Sequence, residues 1–163
     1  MLKPAFRKDG TVTAATSSSI SDGAAAVVMM HASEADKRGL EPLAKVVGHS
    51  AFAHEPAWFT TAPIHAVRKL HEALGWTPDD VDLYEINEAF AVVTMAAMQD
   101  VGIGHDKVNV NGGACALGHP IGATGCRISV TLLHALKAHG LTRGIASQCI
   151  GGGEATAVAY ELL

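Results

Sequence analysis

The sequence contains few charged residues, and acidic residues slightly outnumber basic ones. Of its 163 residues only 17% are charged, and the formal net charge is −4 with the nine histidines neutral. A surface that binds nucleic acid needs a basic stripe to follow the phosphates, and the sequence has none. Nucleic acid is therefore excluded as the expected partner, and small molecules or protein subunits are favoured.

Long hydrophobic runs and paired cysteines are also missing. No stretch reaches the roughly 18 apolar residues of a membrane-spanning helix, and the first residues resemble neither a signal peptide nor a transit segment. The three cysteines, Cys115, Cys126 and Cys149, form no Cys-x-x-Cys pair, and their odd number does not suit a secreted disulfide framework. We therefore expect a cytoplasmic protein without membrane contact.

Apolar residues and glycine are what the sequence does contain. At 48% apolar residues and 17 glycines, the composition is typical of a tightly packed α/β protein. The patterns predict strands at residues 24–30, 44–50, 81–86, 107–110, 144–150 and 155–162. They predict helices from Ser33 to about Gly39, from Pro63 to Gly75, at 88–101 and at 126–139. This alternation indicates a layered α/β fold that ends in an antiparallel hairpin.

Two glycine-rich loops each carry a reactive side chain, and loops at strand ends of α/β sheets commonly form ligand sites. His119 lies between Gly118 and Pro120, where it could exchange protons near neutral pH; its alternative role is to cap the next helix. Cys149 ends an apolar strand before three glycines, whose N–H groups could face a developing oxyanion. Its alternative role is that of a small buried hydrophobe.

Other candidates carry weaker signals. Asn87 follows a strand and could donate to a water or a carbonyl, although Asn is also a common helix cap. Glu88 could be a general base, but we favour stabilisation by the dipole of the predicted helix. Cys115 and Cys126 are assigned to packing. No His or Cys spacing suits a metal site, so we expect no metal.

Three motifs together closely resemble the thiolase family in order and spacing. They are Asn-Glu-Ala-Phe at 87–90, Asn-Val-Asn-Gly-Gly at 109–113 with Gly-His-Pro-Ile-Gly-Ala-Thr-Gly at 118–125, and Cys-Ile-Gly-Gly-Gly at 149–153. The resemblance extends over essentially all 163 residues. It implies a thiolase-like C-terminal domain at 44–163, with a mixed sheet covered by helices on both faces. Residues 1–43 would be the end of the loop region and an N-terminal βα extension.

The resemblance also implies a reaction, in which a 3-ketoacyl-coenzyme A is cleaved by a thiol or formed by Claisen condensation. The coenzyme A thioester would be the substrate, with no tightly bound cofactor. In this family a histidine matching His119 activates a nucleophilic cysteine, and a cysteine matching Cys149 moves the proton at the α-carbon. Asn87 would hold a water that forms one oxyanion site with His119, and the N–H of Gly151 would contribute to the other.

The same resemblance makes Ser18, Ala89 and Phe90 candidates for substrate binding. Ser18 matches a family serine near the pantetheine arm of coenzyme A. The surrounding residues 15–19, Ala-Thr-Ser-Ser-Ser, depart from the commoner Gly-Asn-Ala-Ser-Gly.

None of the three cysteines matches the family's nucleophile, and family proteins are about twice as long as this chain. We therefore expect the chain alone to be inactive, and its partner to be a complementary N-terminal thiolase chain or a second copy. Because the strand at 24–30 would lack its usual neighbours, we expect residues 1–43 to be poorly ordered, swapped or paired elsewhere. The alternatives are a noncatalytic coenzyme A-binding or assembly module and, less favoured, a decarboxylating condensing enzyme.

Overall fold

The computed structural model describes residues 2–163, and a four-stranded mixed sheet forms its centre. The strands are β1 (Ala44–Ala53), β2 (Leu83–Ile86), β3 (Arg143–Ile150) and β4 (Glu154–Leu162), in the spatial order β1-β4-β3-β2. β4 pairs antiparallel with both β1 and β3, whereas β2 pairs parallel with β3. The predicted C-terminal hairpin and the mixed sheet are therefore confirmed.

Helices cover both faces of this sheet, as predicted. The α-helices of residues 2–163 are α1 (Ala32–Lys37), α2 (Ala62–Leu74), α3 (Ala91–Val101), α4 (Ala114–Leu117) and α5 (Thr124–His139). α2 packs on β1, β4, β3 and α3 at one face, and α5 packs on β2, β3 and β4 at the other. Because both faces are covered, every residue of β2 is buried.

The two longest helices form where the sequence repeats apolar residues with helical spacing. In α5, Ile128, Leu132 and Leu136 recur every four residues, and each is at most 2% exposed. Gly140 ends this helix with a left-handed φ of 65°, a conformation that glycine adopts at low cost. α5 thus presents one apolar side to the sheet and is held along its whole length.

The strand predicted at residues 24–30 is wrong. This segment has no strand pairing, and Val28 and Met29 are 88% and 70% exposed. A strand forms only where a neighbour accepts its backbone hydrogen bonds, and the described part of the chain offers no neighbour here. Of the predicted N-terminal βα extension, therefore, the helix α1 forms and the strand does not.

The strand predicted at residues 107–110 is also wrong. Its first residue closes a 3₁₀ helix, His105–Lys107, and one isolated bridge joins Tyr84 to Val108. Asn109 has a φ of +49°, which turns the backbone out of the extended conformation. The helix predicted at residues 88–101 also begins later than expected. Residues 88–90 are not helical, and α3 starts at Ala91.

One hydrogen bond between titratable groups crosses the core. The hydroxyl of Tyr84 on β2 lies 3.0 Å from Nε2 of His71 on α2, and both residues are buried. Burial lowers the pKa of His71, although the nearby Asp80 acts in the opposite direction. None of the described helices combines the length and the hydrophobicity needed to cross a membrane.

His71 should make stability depend on pH. Since its pKa is lowered in the folded state, the unfolded chain binds more protons, and the free energy of unfolding should fall as pH drops through about 6.5. We expect His71→Gln to weaken this dependence, measured by urea unfolding between pH 5.5 and 8. The control is His134→Gln, at an exposed position of α5. Equal pH profiles for the wild type and His71→Gln would contradict the assignment.

Candidate functional site

The candidate site lies at the carboxyl ends of the parallel strands β2 and β3. The N–H of Asn87, just after β2, donates to the carbonyl of Ser147 in β3 at 2.8 Å. Cys149 lies two residues beyond Ser147 and pairs with Ala155 of β4. Since parallel strands end at the same edge, Asn87 and Cys149 share the edge of the sheet where α/β proteins commonly bind ligands.

Asn109 fixes the end of β2. Its Oδ1 accepts the N–H of Ile86 and its Nδ2 donates to the carbonyl of Ile86, each at 2.9 Å. The side-chain amide thus replaces the backbone of a neighbouring strand, which explains why the left-handed backbone of Asn109 is compatible with the sheet. Asn87, the next residue after Ile86, is held firmly as a result.

The N-terminal segment fixes the backbone of His119. The N–H of His119 donates to the carbonyl of Ser19 at 2.9 Å, and Ile20 forms a parallel bridge with His119. The preceding Gly118 has a φ of +89°, and a Cβ on it would overlap the hydroxyl of Ser21. Only glycine combines a low-cost positive φ with the absence of a Cβ at this position. Residues 19–21 are therefore part of the site, although the motif that predicted it begins at Gly118.

The hydrogen bonds of His119 determine which ring nitrogen carries the proton. The hydroxyl of Thr124 donates to the carbonyl of Pro120 at 3.0 Å, so towards Nδ1 of His119, 2.6 Å away, it acts as acceptor. Nδ1 therefore carries the hydrogen in the neutral ring. Nε2 is left with a lone pair, to which Nδ2 of Asn87 donates at 3.3 Å. Asn87 and His119 are thus in direct contact.

The surroundings keep this imidazole neutral. Burial lowers the pKa of His119, and the positive charge of Arg127 lowers it further. A neutral ring whose free nitrogen is Nε2 can accept a proton at physiological pH. Asn87 is 1% exposed, and its Oδ1 has no hydrogen-bond partner among residues 2–163. A buried polar atom of this kind suits a bound water or substrate group.

Cys149 and Gly151 lie at the turn between β3 and β4. Burial raises the pKa of the Cys149 thiol to about 11. Around Gly151 there is open space, since a Cβ there would meet no atom within 4 Å. Gly153 holds the turn, because it has a φ of +102° and a Cβ on it would overlap the carbonyl of His54. The turn is therefore closely packed at Gly153 and has free space around Gly151.

Ser18, Ala89 and Phe90 lie beside these groups. The N–H and the hydroxyl of Ser18 both donate to the carbonyl of Ala89, at 3.0 and 2.9 Å. The ring of Phe90 contacts the edges or faces of Phe6 and Phe59, with centroids 5.7 and 6.3 Å apart. In this arrangement the Ser18 hydroxyl anchors the loop after β2, and Phe90 belongs to an aromatic cluster.

Glu88 makes a contact that neither interpretation of its sequence predicted. It precedes α3 rather than lying in its first turn, and its Oε2 accepts the N–H of Cys115 at the start of α4, at 3.0 Å. The interpretation based on the dipole of the predicted helix is therefore wrong. Burial first, and then the charge of Glu88, raise the pKa of the Cys115 thiol to about 11.

Three contributors were not singled out from the sequence: Ser19, Asn109 and Thr124. Thr124 had a usable signal, because a hydroxyl at the start of a helix commonly binds a nearby polar group. Asn109 belongs to one of the three motifs, but its role requires a left-handed backbone that the sequence does not reveal. No cluster of three or more His, Cys, Asp or Glu side chains that could hold a metal occurs within residues 2–163.

Removing the Thr124 hydroxyl tests the arrangement around His119. Thr124→Val keeps the shape of the side chain but leaves the Nδ1–H of His119 without its acceptor, in a site where Thr124 is fully buried. We expect a loss of about 1–3 kcal/mol in the free energy of unfolding, measured with urea at pH 7.5. Thr124→Ser, which keeps the hydroxyl, is the matched control. A Val variant as stable as the Ser variant would refute the hydrogen bond.

The raised pKa values of Cys115 and Cys149 should make both thiols unreactive. A thiol about two units above its usual pKa has a hundredfold smaller thiolate fraction, partly offset by greater nucleophilicity, so alkylation slows by about tenfold. We expect iodoacetamide at pH 7.5 to modify both residues at least that much more slowly than in the urea-unfolded chain, followed by mass spectrometry. Rapid modification of folded Cys149 would contradict the assigned environment.

Comparisons with known proteins show the family to which the chain is related. Residues 40–162 match the family model described as "Thiolase, C-terminal domain", and residues 1–33 match "Thiolase, N-terminal domain". An acetyl-CoA acetyltransferase from Chromobacterium violaceum is 52% identical over 160 residues, which are 98% of this chain and 41% of that protein. The cytosolic acetyl-CoA acetyltransferase of Mus musculus is 51% identical over 162 residues, with the same two coverages.

A solved structure gives the same result. The crystal structure of the Bacillus anthracis acetyl-CoA acetyltransferase superposes with a TM-score of 0.96 at 49% identity. It covers 99% of this chain, which corresponds to 41% of that protein. The chain thus spans about two-fifths of the length of the relatives it matches.

Proposed function

Since the chain belongs to the thiolase family, we propose that it contributes the proton-transferring part of an acyl-coenzyme A C-acyltransferase. The reaction is the thiolytic cleavage of a 3-ketoacyl-coenzyme A, or its formation by Claisen condensation. The observation that carries this proposal is the hydrogen-bond series from Thr124 through His119 to Asn87, which leaves Nε2 of His119 as a proton acceptor. A thioester-forming enzyme needs such a base to deprotonate its nucleophile.

The nucleophile itself is proposed to lie outside these 163 residues. A nucleophilic cysteine has a lowered pKa and an electropositive setting, whereas the pKa values of Cys115 and Cys149 are both raised to about 11. A cysteine on a thiolase N-terminal segment, in the same or another polypeptide, would give its proton to Nε2 of His119. Its thiolate would then attack the 3-carbonyl carbon of the substrate.

Cys149 is proposed to exchange the proton at the α-carbon. In cleavage, the bond between C2 and C3 breaks, and C2 leaves with the electron pair as a thioester enolate. The neutral thiol of Cys149 supplies the proton that C2 takes up and becomes a thiolate. The thiol of coenzyme A then takes the acyl group from the nucleophilic cysteine, and its proton restores the Cys149 thiol. In condensation these steps run in reverse, and the Cys149 thiolate removes the proton from C2. The raised pKa favours the protonated thiol that cleavage requires.

Two groups are proposed to stabilise the negative charge that develops on the thioester and ketone oxygens. Asn87 would hold a water that acts with His119 as one oxyanion site, which its unpartnered Oδ1 supports. The backbone N–H of Gly151 would contribute to the second site, which the open space at this glycine supports. Such prearranged donors are typically the largest electrostatic contribution in acyl transfer.

The substrate is proposed to be a coenzyme A thioester, with Ser18, Ala89 and Phe90 near its acyl and pantetheine parts. The names of the relatives, acetyl-CoA acetyltransferases, support this class of substrate. The mouse relative is named cytosolic, which supports a cytoplasmic location. Exposed Val28 and Met29 support an assembly in which a thiolase N-terminal segment or a second copy covers residues 24–30.

The same exposed segment favours one other candidate function, a noncatalytic coenzyme A-binding or assembly module. In that case His119 and Cys149 would have only structural roles, and residues 24–30 would bind a partner protein. The two functions differ in whether pairing with a thiolase N-terminal segment produces turnover.

Acetoacetyl-coenzyme A thiolysis separates these functions. The purified chain is assayed alone and with an added thiolase N-terminal segment, and Cys149→Ala is compared with Cys126→Ala. We expect turnover only with the added segment, and a loss of about 10²–10⁴-fold in Cys149→Ala because a proton-transferring group is removed. Activity of the chain alone would overturn the external nucleophile. No activity in either mixture would favour the assembly module.

A further inference from the structure

A buried pair of oppositely charged side chains, Glu85 and Arg127, joins β2 to α5. Glu85 on β2 is 2% exposed, and its Oε2 is 3.4 Å from Nη1 of Arg127 on α5, whose side chain is 19% exposed. The distance is long for an ion pair. In addition, Oε1 of Glu85 and Nε of Arg127 have no hydrogen-bond partner among residues 2–163. A pair this poorly satisfied is a weak source of stability, so stability alone does not explain it.

The pair and the site connect the same two elements. Glu85 and Asn87 are two residues apart along β2 and its extension, so their side chains share one face. Thr124 and Arg127 are three residues apart on α5 and also share a face. Asn87 reaches Thr124 through the His119 ring, and Glu85 reaches Arg127 directly. Two neighbouring cross-links therefore join the end of β2 to the first turn of α5.

The positive charge of this pair acts on the imidazole. Arg127 is the charged side chain that lowers the pKa of His119, after the effect of burial. Glu88, in the loop after β2, is bound by the N–H of Cys115, and Cys149 on β3 carries a neutral thiol. Segment 17–21, which packs on the backbone of His119, contributes serines and one isoleucine and no charge.

Glu85 can hold the guanidinium of Arg127 in either protonation state. Burial raises the pKa of Glu85 to about 7, although Arg127 acts to lower it. The raised pKa means that more of Glu85 is protonated near neutral pH than of an ordinary glutamate. A neutral carboxylic acid still offers its carbonyl oxygen to the guanidinium. The anchor therefore persists in both states, and Arg127 keeps its positive charge throughout.

We propose that Glu85 and Arg127 are positioning residues for His119, which hold the first turn of α5 against β2 and keep a guanidinium charge beside the imidazole. His119 is thereby kept neutral and aligned with Asn87. The meaning of this arrangement for catalysis rests on the proposed function, in which Nε2 of His119 accepts a proton. The effect on His119 itself does not depend on turnover.

The test is an NMR titration of the histidine-labelled chain, with the His119 signal identified by its loss in His119→Gln. Arg127→Gln keeps a donor for Glu85 but removes the charge, so the pKa of His119 should rise. Arg127→Lys keeps a charge and Glu85→Gln keeps a neutral acceptor, so both should stay close to the wild type. If Arg127→Gln does not fold, Arg127→Met provides the same comparison.

An unchanged or lowered pKa of His119 in the folded neutral variant would overturn the proposal, even if that variant is less stable. In the complemented thiolysis assay, the acidic limb of the pH–rate profile should shift to higher pH in Arg127→Gln and not in Arg127→Lys. A failure of the proposed function would abolish turnover in all variants. It would leave the titration result intact, in which the pKa of His119 rises in Arg127→Gln and stays close to the wild type in Arg127→Lys.

Discussion

The chemistry of this site depends on one hydrogen bond, between Nδ1 of His119 and the hydroxyl of Thr124. Because that hydroxyl already donates to the carbonyl of Pro120, it accepts from the ring and places the proton on Nδ1. Nε2 is then the only nitrogen with a lone pair, and Asn87 donates to it. The direction of one hydroxyl at the start of a helix thus decides which atom of His119 can act as a base.

The remaining structure supplies the framework that this bond requires. The parallel pairing of β2 and β3 brings Asn87 and Cys149 to one edge of the sheet, and Asn109 holds β2 in place just before Asn87. α5 carries Thr124 in its first turn and is fixed by the apolar side that packs on the sheet. The packing of the core therefore fixes the position of the His119 ring, because its two hydrogen-bond partners, Asn87 and Thr124, are both buried.

The sequence predicts those parts whose physical cause is local. The helices α2 and α5 follow from apolar spacing, and His119 and Cys149 could be found because glycines beside them allow unusual backbone conformations. The strands at 24–30 and 107–110 were wrong for a different reason, since an apolar run does not show whether a neighbour is present to pair with it. The partners of Thr124 and Asn109 depend on side-chain directions that the folded chain sets. A hydroxyl near the start of a helix can therefore be noticed in the sequence, but the group that it binds cannot.

The most direct test of the account is the ¹⁵N spectrum of the His119 imidazole at pH 7.5. The chemical shifts of the two ring nitrogens distinguish a protonated nitrogen from one with a lone pair. The account predicts a neutral ring with its proton on Nδ1 and a lone pair on Nε2. A proton on Nε2, or a doubly protonated ring at this pH, would contradict the claim that His119 is held ready to accept a proton.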